Sequence, residues 1–193
     1  MRYLLVLFIS IFPVLIYAQE DGESLFRGGI LGGFNASQLD GDSYRGYDKL
    51  GASVGLGVKY KLPGKKISLG MEILYNMRGS VESLKVNDIQ DKIKLDYIDI
   101  PVWMAYREWN IDFQGGLFWG RLINVKTELL GLYEPENFKK IDVGLFLGAT
   151  YHINDNFGAS LRFTRSFINL MKKEANRNAL LSHHLTIRVE YWF

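Results

Sequence analysis

Five ionisable side chains stand out by type and by place: Glu72, Asp99, Arg162, Arg188 and Glu190. Each lies in a stretch where polar and apolar residues alternate, as in Arg188, Val189, Glu190 and in Gly70, Met71, Glu72, Ile73. Period-two alternation sends neighbouring side chains to opposite faces of a strand, so all five are expected on the polar face. Three carboxylates and two guanidiniums inside a narrow β-structure have three chemical uses. They pair and fill the interior, since isolated buried charges cost several kcal/mol each whereas paired, hydrogen-bonded ones are tolerated. They line an ion path. A carboxylate pair also does general acid and base work, which requires a cleft that admits a substrate. The spacing favours the first use, a polar filling of the lumen.

Ser182, His183 and His184 offer a nucleophile beside a base, the equipment of a lipid-cleaving barrel enzyme. Adjacent residues on a strand point to opposite faces, so one of the two histidines at most faces a lipid ester, and Ser182 is poorly placed as its nucleophile. They read as rim residues. His152, beside the Asn154 turn, is expected at a wet mouth. Gly28 to Gly33 holds Gly-x-x-x-Gly twice and Gly55 to Gly57 gives Gly-x-Gly. Neither opens a helix after a strand, so nucleotide binding is unsupported, and the alternation around them excludes a helix-dimer motif. Asp40, Gly41, Asp42 and Ser43 resemble the start of a calcium loop but lack its later ligands. Glu134, Pro135, Glu136 and Asn137 read as turn chemistry on an acidic tip. No catalytic residue, metal or cofactor is expected.

The elements that must position these groups are strands. Alternation places them near residues 27–35, 51–62, 66–77, 92–107, 110–125, 139–152, 156–168 and 183–193. Pro63-Gly64-Lys65, Trp109-Asn110 and Asn154-Asp155-Asn156 are tight turns; the links 36–50, 78–91, 126–138 and 169–182 are long and polar. Short and long connections alternate strictly, the pattern of an up-and-down barrel with short periplasmic turns and longer external loops. The spacing therefore predicts an all-β chain, an eight-stranded antiparallel transmembrane barrel. Its outward rows are apolar, among them Val54, Leu56 and Val58; Leu69, Met71 and Ile73; and Ile100, Val102 and Met104. Its inward rows are small or charged. Tyr60, Tyr106, Phe113, Tyr151, Phe157, Tyr191 and Phe193 fall at the short-turn end as an aromatic girdle. Two places resist the scheme. Pro101 removes a ladder hydrogen bond, and the alternation of Ile93, Leu95 and Tyr97 changes phase before Ile98, which predicts a β-bulge there. Arg165 falls on the outward face and must sit near the outer rim.

Composition agrees with an exported membrane barrel. Arg2, the apolar run Tyr3 to Tyr17 and Ala18 read as a secretory signal, 1–18, followed by the barrel, 19–193. The formal net charge of +2 without a basic cluster gives no case for nucleic acid. Cysteine is absent, so disulfides and a thiolate metal site are excluded. The last strand alternates Leu185, Ile187, Val189, Tyr191 and Phe193, and its terminal aromatics Tyr191 and Phe193 are expected to address the barrel-insertion machinery. The expected partners are membrane lipids, that machinery and, through the long loops, other envelope proteins.

Several short runs carry a family likeness: Gly28-Gly29-Ile30-Leu31-Gly32-Gly33-Phe34-Asn35, Gly55-Leu56-Gly57, Glu72-Ile73-Leu74-Tyr75-Asn76, and above all Tyr97-Ile98-Asp99-Ile100-Pro101-Val102. In these the chain resembles the PorT-like outer-membrane barrels of Bacteroidota, whose Tyr-Leu-Glu-Ile-Pro-Leu run has Asp99 at its acidic position here. Glu190 departs from the glycine often seen near that family's end. The resemblance implies an eight-stranded outer-membrane barrel without assigned catalytic residues. One member is associated with export of proteases through the secretion system of that phylum, which points to a structural or interaction role linked to secretion or envelope assembly. A small passive channel is the alternative, and a lipid-modifying enzyme the third reading.

Overall fold

β-Branched and aromatic residues at every second position, broken by Gly, Pro and Asn turns, fold here as eight consecutive antiparallel strands. The computed structural model describes residues 25–40, 47, 49–81, 92–127, 135–172 and 180–193. The strands are β1 (Phe26–Asp40), β2 (Lys49–Lys61), β3 (Ile67–Val81), β4 (Lys92–Glu108), β5 (Ile111–Thr127), β6 (Ile141–His152), β7 (Phe157–Ser166) and β8 (Leu181–Trp192). Each pairs with the next, and β1 pairs with β8 from Gly29↔Trp192 to Asp40↔Leu181, so the sheet closes on itself and has no free edge. The expected leader 1–18 lies outside the described residues, as do Gly41, Asp42, Ser43 and Glu134.

The three short turns each have a local cause. Gly64 takes φ 66° after Pro63, and Lys65 N–H donates to the Leu62 carbonyl at 3.1 Å. Trp109 adopts φ 51°, the left-handed region that a side chain rarely enters, because only two residues join β4 to β5. The Asn154 side-chain oxygen accepts the N–H groups of Asn156 and Phe157 at 2.9 and 2.8 Å, an Asx turn that starts β7.

The two faces differ as the alternation requires. Phe34, Leu50, Leu56, Val102, Leu117, Leu147 and Ile187 stand outward and exposed on a wall that is apolar between its two rims. A soluble monomer does not present such a continuous apolar belt; a bilayer covers it. At the short-turn end the wall carries rings, with Phe26 and Tyr60 4.6 Å apart and Phe157 and Tyr191 4.7 Å apart.

The interior departs from expectation, for it is not only small or charged. Leu31, Leu74, Trp103, Phe146 and Trp192 pack inside at mid-barrel. At the long-loop end Leu39, Ile93, Leu95, Tyr97, Leu122, Phe138, Leu170, Met171 and Leu180 form a buried apolar cluster. The short 3-10 turn η1 (Pro135–Asn137) leads Phe138 into it, Phe138 bridges to Met171, and Lys139 N–H donates to the Leu170 carbonyl at 2.7 Å. The segments flanking two long loops thus fold back as a lid across the long-loop end. This lid corrects the reading of β4. Ile93, Leu95 and Tyr97 share the inner face with Asp99 and Trp103, so β4 keeps one phase throughout, and its outer half is apolar inside because it meets the lid. The predicted bulge does lie at this point, for the β4–β5 register shifts between Asp96 and Tyr97, but its extra residue is on β5: Asp96 pairs with Asn124 and Tyr97 with Leu122, leaving Ile123 over. Pro101 interrupts the other side of β4, where the β3 pairing skips from Met71↔Val102 to Leu74↔Asp99.

Inner-face glycines make room for the large rings. A Cβ on Gly29 would fall 2.4 Å from the Trp192 indole, and one on Gly70 2.2 Å from that of Trp103. These two glycines let both indoles lie flat across the lumen, where each N–H reaches a carboxylate.

Candidate functional site

Glu72 on β3 is the centre of the interior. Arg162 of β7 donates to both its oxygens, each at 3.0 Å. Arg188 of β8 does the same at 2.8 Å, and the Trp103 indole N–H adds a third donor at 2.9 Å. Glu190 completes the group. Its carboxylate accepts from Arg188 Nε at 3.0 Å and from the Trp192 indole at 3.0 Å. Two carboxylates and two guanidiniums therefore form a neutral quartet whose members are each under 5% exposed. Gln114 ties it to the wall, accepting from Arg162 at 2.7 Å and donating to Thr150 at 2.8 Å. The Arg162 guanidinium also lies 4.0 Å above the Phe146 ring.

The position of this quartet decides what it does. Three strands lie between β3 and β7 in either direction around the ring, so the Glu72–Arg162 pair crosses the lumen from wall to wall. Fork-to-fork geometry holds it there.

Asp99, expected in the same constellation, belongs to a different cluster. Its carboxylate accepts from Asn76 at 2.5 Å and pairs with Arg78, which also donates to Asp142 at 2.9 Å. Ser166 donates to Asp142 at 2.7 Å. Arg78 is fully buried between the rings of Tyr97 and Phe118, 4.7 and 5.0 Å from their centroids. This second layer lies on the long-loop side of the quartet, because β3 runs from its short turn through Glu72 to Arg78. A cavity of about 20 Å³ separates the layers, room for roughly one water. Sequence reasoning missed Arg78 by ending β3 at residue 77. The signal was present, since Glu72, Leu74, Asn76 and Arg78 share one parity.

Ser182 and His184 share the inner face, both buried, and no hydrogen bond joins them. His183 takes the opposite face at the outer rim. It stands 3.5 Å from Asp40, which also lies 3.6 Å from outward-facing Arg165, and it meets the Tyr47 ring edge-on. Asp40 therefore serves a rim contact.

At the short-turn end the barrel opens into a wide mouth. His152 stands there, half-buried, 2.7 Å from Asp112, which accepts two hydrogen bonds from Arg107 at 2.5 and 2.7 Å. Lys66, in the first turn, pairs with Glu108 at 2.8 Å, and that hydrogen bond raises its pKa above the usual lysine value. Among the described residues no group of three or more histidines and carboxylates is arranged to hold a metal ion.

The sequence profile of the outer membrane protein beta-barrel domain family matches residues 17–172. No curated protein sequence matches the chain. Among solved structures, Neisserial surface protein A (NspA) superposes with a TM-score of 0.55 at 12% identity, covering 90% of this chain and 100% of that one. Ail of Yersinia pestis gives 0.49 at 14% identity, with 87% and 99% covered. OprG from Pseudomonas aeruginosa gives 0.45 at 13% identity, with 89% and 98% covered. These likenesses concern the fold.

Proposed function

Because the chain belongs to the outer membrane protein beta-barrel domain family, we propose that it is a closed, filled barrel that works as a structural or interaction module through its outer end. One observation carries this reading: the Glu72–Arg162–Arg188–Glu190 quartet spans the lumen between opposite walls, with an apolar lid above it. An ion moving through would have to separate fork-to-fork pairs in a water-poor core and then cross a dry cluster of aliphatic side chains. The wide inner mouth favours a small passive channel as second reading, and one experiment separates the two. In planar bilayers the refolded barrel, verified by heat-modifiable migration, is expected to show no steady conductance. Steady ion flow that responds to neutralising Glu72 or Arg162 would put the channel first.

The outer end then holds the contact surface, and the resemblance to PorT-like barrels makes components of a secretion or envelope-assembly machine the natural partners. The three short turns are assigned to the periplasm. Residues 1–18 act in this reading as the export signal. Tyr191 and Phe193 serve the insertion machinery, whose handle would be the outward aromatic edge of β8; Phe193 N–H donates to the Gly28 carbonyl at 2.9 Å, where β8 meets β1. Deleting Phe193 is expected to lower the amount of protein in outer-membrane fractions. Undiminished insertion would remove that role.

A further inference from the structure

The mouth at the short-turn end encloses about 850 Å³, within the range of roughly 300–1,000 Å³ common for small-molecule sites. Six cations line it, Arg27, Lys59, Lys61, Lys65, Lys66 and Arg107, against two lining carboxylates, Glu108 and Asp155. Part of this charge is balanced locally. Lys66 pairs with Glu108, and Arg107 pairs with Asp112 just inside the mouth.

The other side of the mouth is built differently. Arg27 and Lys59 stand directly opposite one another in the β1–β2 register, both on the inner face. Like charges directly opposite on neighbouring strands repel and destabilise the pair. Arg27 gives its donors to main-chain carbonyls, those of Asp155 at 2.5 Å and of Trp192. These bonds satisfy its geometry and leave its charge in place. Lys59 is 9% exposed, and its ammonium lies 4.3 Å from the centroid of the Trp192 ring. Among the described residues no carboxylate lies within ion-pair distance of it. Asp112 and Glu190 act on it only from beyond contact, each already engaged by an arginine, so a nearly buried ammonium beside a second cation, with an aromatic face as its direct contact, is completed by an anion arriving from the cavity.

We propose that this mouth is a binding site for a small organic polyanion, with Lys59 and Arg27 taking one phosphate or carboxylate group. The cross-strand spacing of about 5 Å suits two oxygens of a single oxyanion, and the volume leaves space for the rest of the molecule beside Trp109 and Phe193. The site goes beyond the filled-barrel reading, which fixes only that the ligand comes from the periplasm. Binding in detergent tests the site by itself.

The experiment is calorimetric titration of the refolded wild-type barrel in uncharged detergent, at constant ionic strength, with pyrophosphate in one arm and citrate in the other. Saturable one-to-one binding is expected in at least one arm. A pyrophosphate response alone identifies a phosphate-bearing ligand and a citrate response alone a polycarboxylate. Lys59→Met and Arg27→Met are each expected to weaken binding at least tenfold. Lys126→Gln, on an exposed residue of outer β5, is expected to leave it unchanged. If Lys59→Met does not refold, Arg27→Met carries the test. Absence of saturable binding of both anions by the wild type overturns the proposal, as does unchanged affinity in the folded variants at Lys59 and Arg27.

Discussion

Replacing Glu72 with alanine is expected to remove about 3–5 kcal/mol of folding stability, read as a lowered urea midpoint for the barrel refolded in lipid vesicles. The reason lies in what remains. Arg162 and Arg188, 4% and 3% exposed, would be left side by side on the neighbouring strands β7 and β8 with Glu190 as their single carboxylate, and the Trp103 indole would lose its acceptor. Removing one partner of a buried pair strands an uncompensated charge, and that penalty exceeds the net worth of the pair itself. The paired replacement separates these two quantities. Glu72→Met with Arg162→Met leaves Arg188 bound to Glu190 and is expected to cost less than Glu72→Ala alone, so the two losses are far from additive. A loss below about 1 kcal/mol for Glu72→Ala would mean that water reaches the quartet and screens it, and the filled-barrel reading would fall with it.

How much of this site was legible in the sequence follows from what alternation does and does not encode. Parity alone put Glu72, Asp99, Arg162, Arg188 and Glu190 on the inner face, because side-chain direction in a strand depends only on position modulo two. Partnership across the lumen depends on stagger, the offset between strands around the ring, and stagger is set by every turn and bulge together. Asp99 was grouped with Glu72 for that reason. The two lie on neighbouring strands with close pairing, but Asp99 meets Arg78 of β3 and Arg78 meets Asp142 of β6.

The fold was legible further than the filling. Loop alternation gave the strand number and the closed order, since only an up-and-down sheet alternates tight turns with long links. The apolar lid was invisible for a specific reason. Ile93, Leu95 and Tyr97 carry the same residue types as the lipid-facing rows, and an apolar residue on a strand does not say which of two dry surroundings it enters. The apparent phase change in β4 was therefore a change of environment along one face, and the true register shift, at Ile123 of β5, leaves no mark in the alternation of β4. The inner indoles were hidden likewise. Trp103 and Trp192 became readable only through Gly70 and Gly29, whose missing side chains open the space they fill.

The lipid-facing wall gives the second large effect, and depth is the variable that tests it. Arg121 and Arg165 are outward-facing native cations near the outer end of β5 and β7. Each stands the same number of residues from an aromatic of the lower girdle, Arg121 from Phe113 and Arg165 from Phe157. With roughly 3.3 Å per residue and a strand tilt near 40°, that interval is about 20 Å of height in an apolar band about 25 Å tall. Both arginines therefore sit where headgroups begin. Leu56, outward and 59% exposed, lies about half as far above Tyr60 and thus near the bilayer midplane. Leu56→Arg is expected to cost about 2–4 kcal/mol in lipid vesicles, whereas Leu50→Arg, on the same strand at the outer boundary, costs about 0–1 kcal/mol. Equal and small effects at both positions would mean that water, not hydrocarbon, covers the wall. A loss that scales with depth fixes the height of the barrel in the membrane and, with it, which rows of the wall meet hydrocarbon and which meet headgroups.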